Sequence, residues 1–376
     1  MLKIQSLAKF CASSAILMAA ILAPAVQARH IDIREFGARA DDGRDDSQAF
    51  ERAFQQARAG DIVSVPSGRF DIWRSIDVPS DITLAGMGCG SSILRRNGKS
   101  GQIMLRFDGN RNVTIRNIGF DYNSAPEFYR AIGFRGAGSA NIRIENNCFS
   151  ERNFAGGRGD RWAIELSATT SPSRNLVIAG NRAQGNIQMT AGGGAGIVGA
   201  RITDNRVIDA RSNAIALSTL SDTARFQNIF IARNIIDTPT AIGIFVGPDK
   251  PSTRGGSFRD ITIADNRITG FRNRFTYGVF LRAPAGGMHN VSITGNEIDG
   301  RGAAEPIGIR LLDDHGRGTR RFSQVRICSN VARNVGRGIW LQRVFGARVI
   351  GNRMNTDRAL IASDKENSDI AVQGAC

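Results

Sequence analysis

The sequence predicts a parallel β-helix, and three observations predict it. Ile-x-x-Asn recurs at Ile144/Asn147, Ile178/Asn181, Ile202/Asn205, Ile231/Asn234, Ile263/Asn266, Ile293/Asn296 and Ile327/Asn330, with Val349/Asn352 as a variant. The asparagines are spaced by 22 to 34 residues, too short for a domain and right for one coil of a solenoid with loops of unequal length. Between these units lies a second strand family, including Ala163-Ile-Glu-Leu-Ser, Gly278-Val-Phe-Leu-Arg and Gly338-Ile-Trp-Leu-Gln. In both families apolar residues alternate with variable ones, so one face points inward and the other outward. After residue 28 no stretch sustains a heptad or helical repeat over a long span.

Taken in order, the chain opens on a secretory signal, Met1 to Ala28. Lys3 and Lys9 form its basic start, Phe10 to Ala23 its apolar core, and Val26-Gln-Ala28 a small-residue cleavage site. The expected organisation is therefore a signal peptide over 1–28 and a single β-helix domain over 29–376, in the periplasm or outside the cell. No other long apolar run is present, so no membrane span is expected. Ala49, Phe50, Ala53, Phe54 and Ala57 then line one face of a short helix, with Asp45, Asp46 or Ser47 as cap and Gly60 as its end. An amphipathic helix ahead of a solenoid covers the first coil, whose core and strand edges would otherwise be open. Coils follow from Ile82 onward, with overhanging loops expected at 151–161, 191–199, 248–259 and 313–323. Beyond Asn352 the pattern fades, and this segment is expected to cover the last coil.

The formal charge is +15, carried mostly by arginine. A field of that sign favours polyanionic partners, and an exported address points to an acidic glycan rather than nucleic acid. Cys89, Cys148, Cys328 and Cys376 would meet an oxidising compartment, with three full pairings open. No cysteine or histidine spacing suggests zinc, and nothing specifies an oligomer.

Phe36-Gly-Ala, Asp42-Gly, Asp45-Asp-Ser-Gln-Ala-Phe and Val65-Pro-Ser-Gly resemble the N-terminal signature of the pectate-lyase-like superfamily. Within it they resemble the group with a rhamnogalacturonase/epimerase-type lyase domain. The resemblance implies a right-handed helix of three sheets with a glycan site along one outer face. It does not choose an activity, since the superfamily holds lyases, hydrolases, epimerases and phage tail-spikes.

Site candidates come from the outward positions of the second strand family. Alternation places Gly133, Glu165, Ala216, Phe245, Phe280, Arg310 and Trp340 in one column, and Arg135, Ser167, Ser218, Gly247, Arg282, Leu312 and Gln342 in the next. Phe245, Phe280 and Trp340 offer rings for stacking sugars, with Arg135 and Glu165 as further contacts. Arg282 and Arg310 suit a uronate carboxylate, which a guanidinium binds bidentately.

In β-elimination that carboxylate is neutralised, by arginine or a metal, and a base takes the neighbouring proton. Arg282 and Arg310 are candidates for the first task or the second, and Lys250, His315 or Tyr129 for proton transfer. Asp249 and Asp313 or Asp314, two coils apart, have the separation of an inverting hydrolase's carboxyl pair. The chain lacks the Gly-His-Gly of the polygalacturonase pattern, which weighs against hydrolysis. Relatives often use calcium, for which Asp249, Asp313 and Asp314 are the available oxygen ligands. The expected function is lyase cleavage of an acidic polysaccharide. The alternatives are a glycoside hydrolase and a non-catalytic glycan-binding solenoid.

Overall fold

A computed structural model describes residues 27–97, 103–122, 129–150, 162–210, 212–237, 239–249, 255–315, 320–356, 358–362 and 371–373. Three sheets of 13, 11 and 11 strands run side by side along one solenoid. Each strand pairs in parallel with its counterparts on the coils before and after it. The fold is the predicted right-handed parallel β-helix, with neighbouring coils about 4.8 Å apart.

Each coil begins on the 13-stranded sheet, which carries the Ile-x-x segments. It turns at the asparagine, runs through a short strand such as Arg267–Thr269 on the second sheet, and enters the third. The third sheet is built from the second strand family, including Ile242–Pro248, Phe275–Arg282, Glu305–Leu312 and Arg337–Gln342. Isoleucine, leucine, valine and phenylalanine from all three sheets fill the interior. Phe107 stacks on Phe134, Phe120 on Phe149 and Phe226 on Phe258, each pair on neighbouring coils.

The asparagines form a continuous buried ladder. The Asn234 amide donates to Ile202 O at 2.8 Å and to Asn266 Oδ1 at 2.9 Å, and Asn266 repeats both bonds towards Ile231 and Asn296. In each case the side chain donates to a strand carbonyl at the corner and to the next asparagine of the ladder, so its buried amide is satisfied. The left-handed backbone at this corner belongs to the residue before the asparagine: Asn146, Asp204, Arg233, Asp265 and Ser329 all have φ of 53–59°.

At the N-terminal end the helix Ser47–Gln56 buries Ala49, Phe50, Ala53 and Phe54. Its first free N–H, that of Ser47, is taken by Asp45 at 2.9 Å. Asp46 turns away and accepts from the amides of Arg39 and Asp71 at 2.9 and 3.0 Å.

Two expectations are corrected and one open pairing is resolved. The 191–199 loop shrinks to 192–195, because Asn186–Ala191 is a further strand of the third sheet. The segment after Asn352 is another coil, since Arg353–Met354, Leu360–Ala362 and Ala371–Gln373 each extend one sheet. Of the open pairings, Cys89 bonds Cys148; Cys376 lies outside the described residues, as do Met1–Val26 of the signal, Lys250 and the 151–161 loop.

Candidate functional site

The predicted outward column exists as a register. Ala216, Phe245, Phe280, Arg310 and Trp340 are partners on successive coils, and Glu165 joins them through Gln188 on the unforeseen strand. Its exposure is uneven. Phe245 is 7% exposed and packs against Phe280 with ring centroids 5.6 Å apart, tilted by 60°. Phe245 is therefore packing beneath the face rather than a platform on it. The surface opens at Phe280, Arg310 and Trp340, which are all half-buried.

There a cavity of about 300 Å³ is lined by Tyr277, Glu305, Arg310, Arg337, Trp340 and Arg358. Arg310 is its centre. One terminal nitrogen donates to the Tyr277 hydroxyl at 2.9 Å and the other to Gln342 Oε1 at 3.3 Å. The guanidinium carbon lies 4.1 Å from the Trp340 ring centroid and 5.3 Å from that of Phe280. Its Nε is buried without a partner. Arg337 lies over the same indole at 4.4 Å. Trp340 thus supports two guanidinium groups.

The charge around this cavity is unbalanced. On the same sheet Arg106 pairs with Asp77, Arg130 with Glu165 and Arg282 with Asp314. Among the described residues no carboxylate pairs with Arg310, Arg337 or Arg358, and the cavity's own carboxylate, Glu305, is paired with Arg274 at 3.3 Å. Three cations sharing one cavity repel one another, and an anionic ligand relieves that repulsion.

The other candidates gather at the far end of the strands. Asp313 is fully buried and accepts from the His315 amide at 3.1 Å, with its imidazole Nδ1 at 3.2 Å. Burial pushes the Asp314 carboxyl up, but the Arg282 hydrogen bond and charge, with His315, outweigh it and hold the group below the usual range. Asp249 is exposed, two coils from Asp313. A hydrolase's general acid needs a raised pKa, the opposite of what Arg282 imposes on Asp314. Asp313 is enclosed against His315 and closed to open water.

Several expected contacts lie elsewhere. Arg135 is exposed but follows the strand Arg130–Phe134, six coils from Arg310. Glu165 is five coils away and is occupied by Arg130. Tyr129 is 1% exposed, and burial drives its hydroxyl far above the ordinary phenol range, so it is a core residue rather than a proton carrier. Among the described residues no three His, Cys, Asp or Glu side chains converge as a metal site.

Residues 30–245 match the family model described as rhamnogalacturonase A/epimerase, pectate lyase-like. The chain belongs to this family. The matched segment ends before the cavity, whose lining begins at Tyr277. The pre-neck appendage protein of Bacillus phage B103 is 28% identical over 120 residues, which is 30% of this chain and 14% of that protein. Among solved structures, the A-module of an Azotobacter vinelandii mannuronan C-5 epimerase aligns over 92% of this chain and 99% of its own, at 15% identity and a TM-score of 0.51. A Yersinia enterocolitica family 28 exopolygalacturonase aligns over 93% and 78%, at 12% identity and 0.57. At these identities the two structures show a shared fold.

Alternation hid two of the cavity residues of this family member. Counting by twos from Phe280 and Trp340 sends Tyr277 and Arg337 into the core. The glycine that follows each of them reverses that assignment. Gly308 and Ile309 are consecutive buried positions inside the strand Glu305–Leu312, and a Cβ at Gly308 would meet Gly338 O at 2.6 Å. Alternation therefore breaks at the glycine, and Tyr277 and Arg337 are half-buried rather than core. The repeated Gly-Ile/Val pair in these strands is the signal that could have revealed it.

Proposed function

We propose that this protein is a polysaccharide-active enzyme that cleaves an acidic, uronate-containing glycan by β-elimination, at the surface of the cell or outside it. The observation that carries the reading is the Arg310–Tyr277 hydrogen bond inside a cavity whose other cations, Arg337 and Arg358, have no carboxylate partner among the described residues.

In this reading the uronate carboxylate lies against Arg310. The guanidinium withdraws charge from it and makes the neighbouring C5–H more acidic. The Tyr277 oxygen, as a phenolate facing the Arg310 N–H, takes the C5 proton. The C5–H electrons form the C4–C5 double bond, the C4–O bond breaks, and the departing oxygen takes up the proton from the Tyr277 hydroxyl, which restores the phenolate. Arg282 and Asp314 hold each other at the far end of the strands, beside the Asp313–His315 pair. Calcium is a further proposal, to be tested by assay with the ion and with chelator.

The test is a pair of assays on a panel of uronate-containing and neutral polysaccharides, following ultraviolet absorbance of an unsaturated uronate and new reducing ends. Elimination raises both together. Reducing ends without absorbance mean hydrolysis and sink the proposal. The phage appendage relative favours a second reading, a glycan-binding solenoid without turnover. It would leave both signals silent while the polysaccharide still bound.

A further inference from the structure

We propose that Arg337 and Arg358 form a second oxyanion subsite, which binds the charged group of the sugar unit next to the one held by Arg310. The inference rests on the elimination reading for its substrate but on separate residues for its evidence. One uronate carboxylate is matched by one bidentate guanidinium, and Arg310 supplies it. Two more cations line the same cavity with no carboxylate partner among the described residues.

Their placement gives them a common target. Arg337 opens the strand Arg337–Gln342, and its guanidinium is held over Trp340. The Arg358 carbonyl accepts from Gly338 N at 2.9 Å, which seats Arg358 on the following coil beside Arg337. Arg310 lies on the coil before, so the three cations occupy three successive coils. The coil rise of about 4.8 Å is close to the length of one pyranose unit in a glycan. A polymer running along the solenoid with an anionic group on every unit therefore presents a second charge where Arg337 and Arg358 wait. One whose uronates alternate with neutral sugars does not. Arg337 and Arg358 would thus be specificity residues, selecting contiguous charge.

The experiment is calorimetric titration of the full chain carrying Tyr277→Phe, which reads binding without cleavage. The probes are a diuronate, a disaccharide of one uronate and one neutral sugar, and the same disaccharide sulfated on the neutral unit. The proposal expects the diuronate to bind at least tenfold tighter than the mono-uronate. In the Arg337→Ala/Arg358→Ala double variant that preference should fall below threefold, with Arg337→Lys retaining part of it. Sulfate restoring the preference identifies a general oxyanion site, and failure to restore it identifies a carboxylate site. Equal affinities for diuronate and mono-uronate, or a preference that survives in a double variant with an unchanged melting curve, overturn it. Because turnover is not read, a silent lyase assay would leave this result intact and count against the elimination reading alone.

Discussion

The Arg310 guanidinium sits 4.1 Å above the Trp340 ring, and the Tyr277 hydroxyl accepts one of its hydrogen bonds. Trp340 therefore acts as a seat for charge rather than as a bare platform for a sugar. Trp340→Ala should release both Arg310 and Arg337 and raise KM for an acidic polysaccharide roughly tenfold or more, about the worth of a partly desolvated cation–π pair. Trp340→Phe keeps a ring under the cations and should lose less. Steady-state kinetics of the two variants checks the order.

Asp314 separates elimination from hydrolysis. If it were a general acid, Asp314→Asn would lower kcat by about a hundredfold or more. Held ionised by Arg282, it should instead shift KM modestly. Its pH effect has a definite sign. A carboxyl with a depressed folded-state pKa contributes stability above its unfolded value, near 4, and loses it as pH falls through the folded value. Acid melting curves of wild type and Asp314→Asn should therefore diverge above pH 4 and converge well below it.

Asp46 behaves in the opposite sense. Burial pushes its carboxyl up to about 6, against two backbone amides that favour the charged form. A raised carboxyl pKa gives stability that is present below the unfolded value and lost as pH rises through 6. The melting temperature of the N-terminal cap should fall between pH 4 and 7, and Asp46→Asn should flatten that slope. Thermal melts across this range provide the check.

The asparagine ladder predicts a local stability cost. Asn266→Ala removes the bond to Ile231 O and leaves the Asn234 amide without the oxygen it donates to at 2.9 Å. Orphaning these buried donors costs about 2–4 kcal/mol, which denaturant titration measures. A loss below about 1 kcal/mol would mean that the corner is satisfied in another way.

What the sequence disclosed follows from its periodicities. Ile263/Asn266 and Ile293/Asn296 announced the coils because a solenoid repeats the same chemistry at each corner. The register of Phe280, Arg310 and Trp340 followed from strand alternation, and so did their meeting. Tyr277 and Arg337 were illegible because a glycine within the strand breaks that alternation. Phe245 misled for another reason: outward parity does not specify what later covers a ring. Asp313 and Asp314 look alike in sequence, yet one is enclosed by His315 and the other is held by Arg282 from a neighbouring coil.

In the proposed reaction Arg310 and Tyr277 carry the elimination. Its most direct measurement follows unsaturated uronate formed by the wild-type protein and by Tyr277→Phe, side by side, on an acidic polysaccharide. Absorbance should rise with wild type, and the variant should lose about a hundredfold or more in kcat with KM little changed. Equal rates from the two proteins, or reducing ends appearing without absorbance, would contradict it.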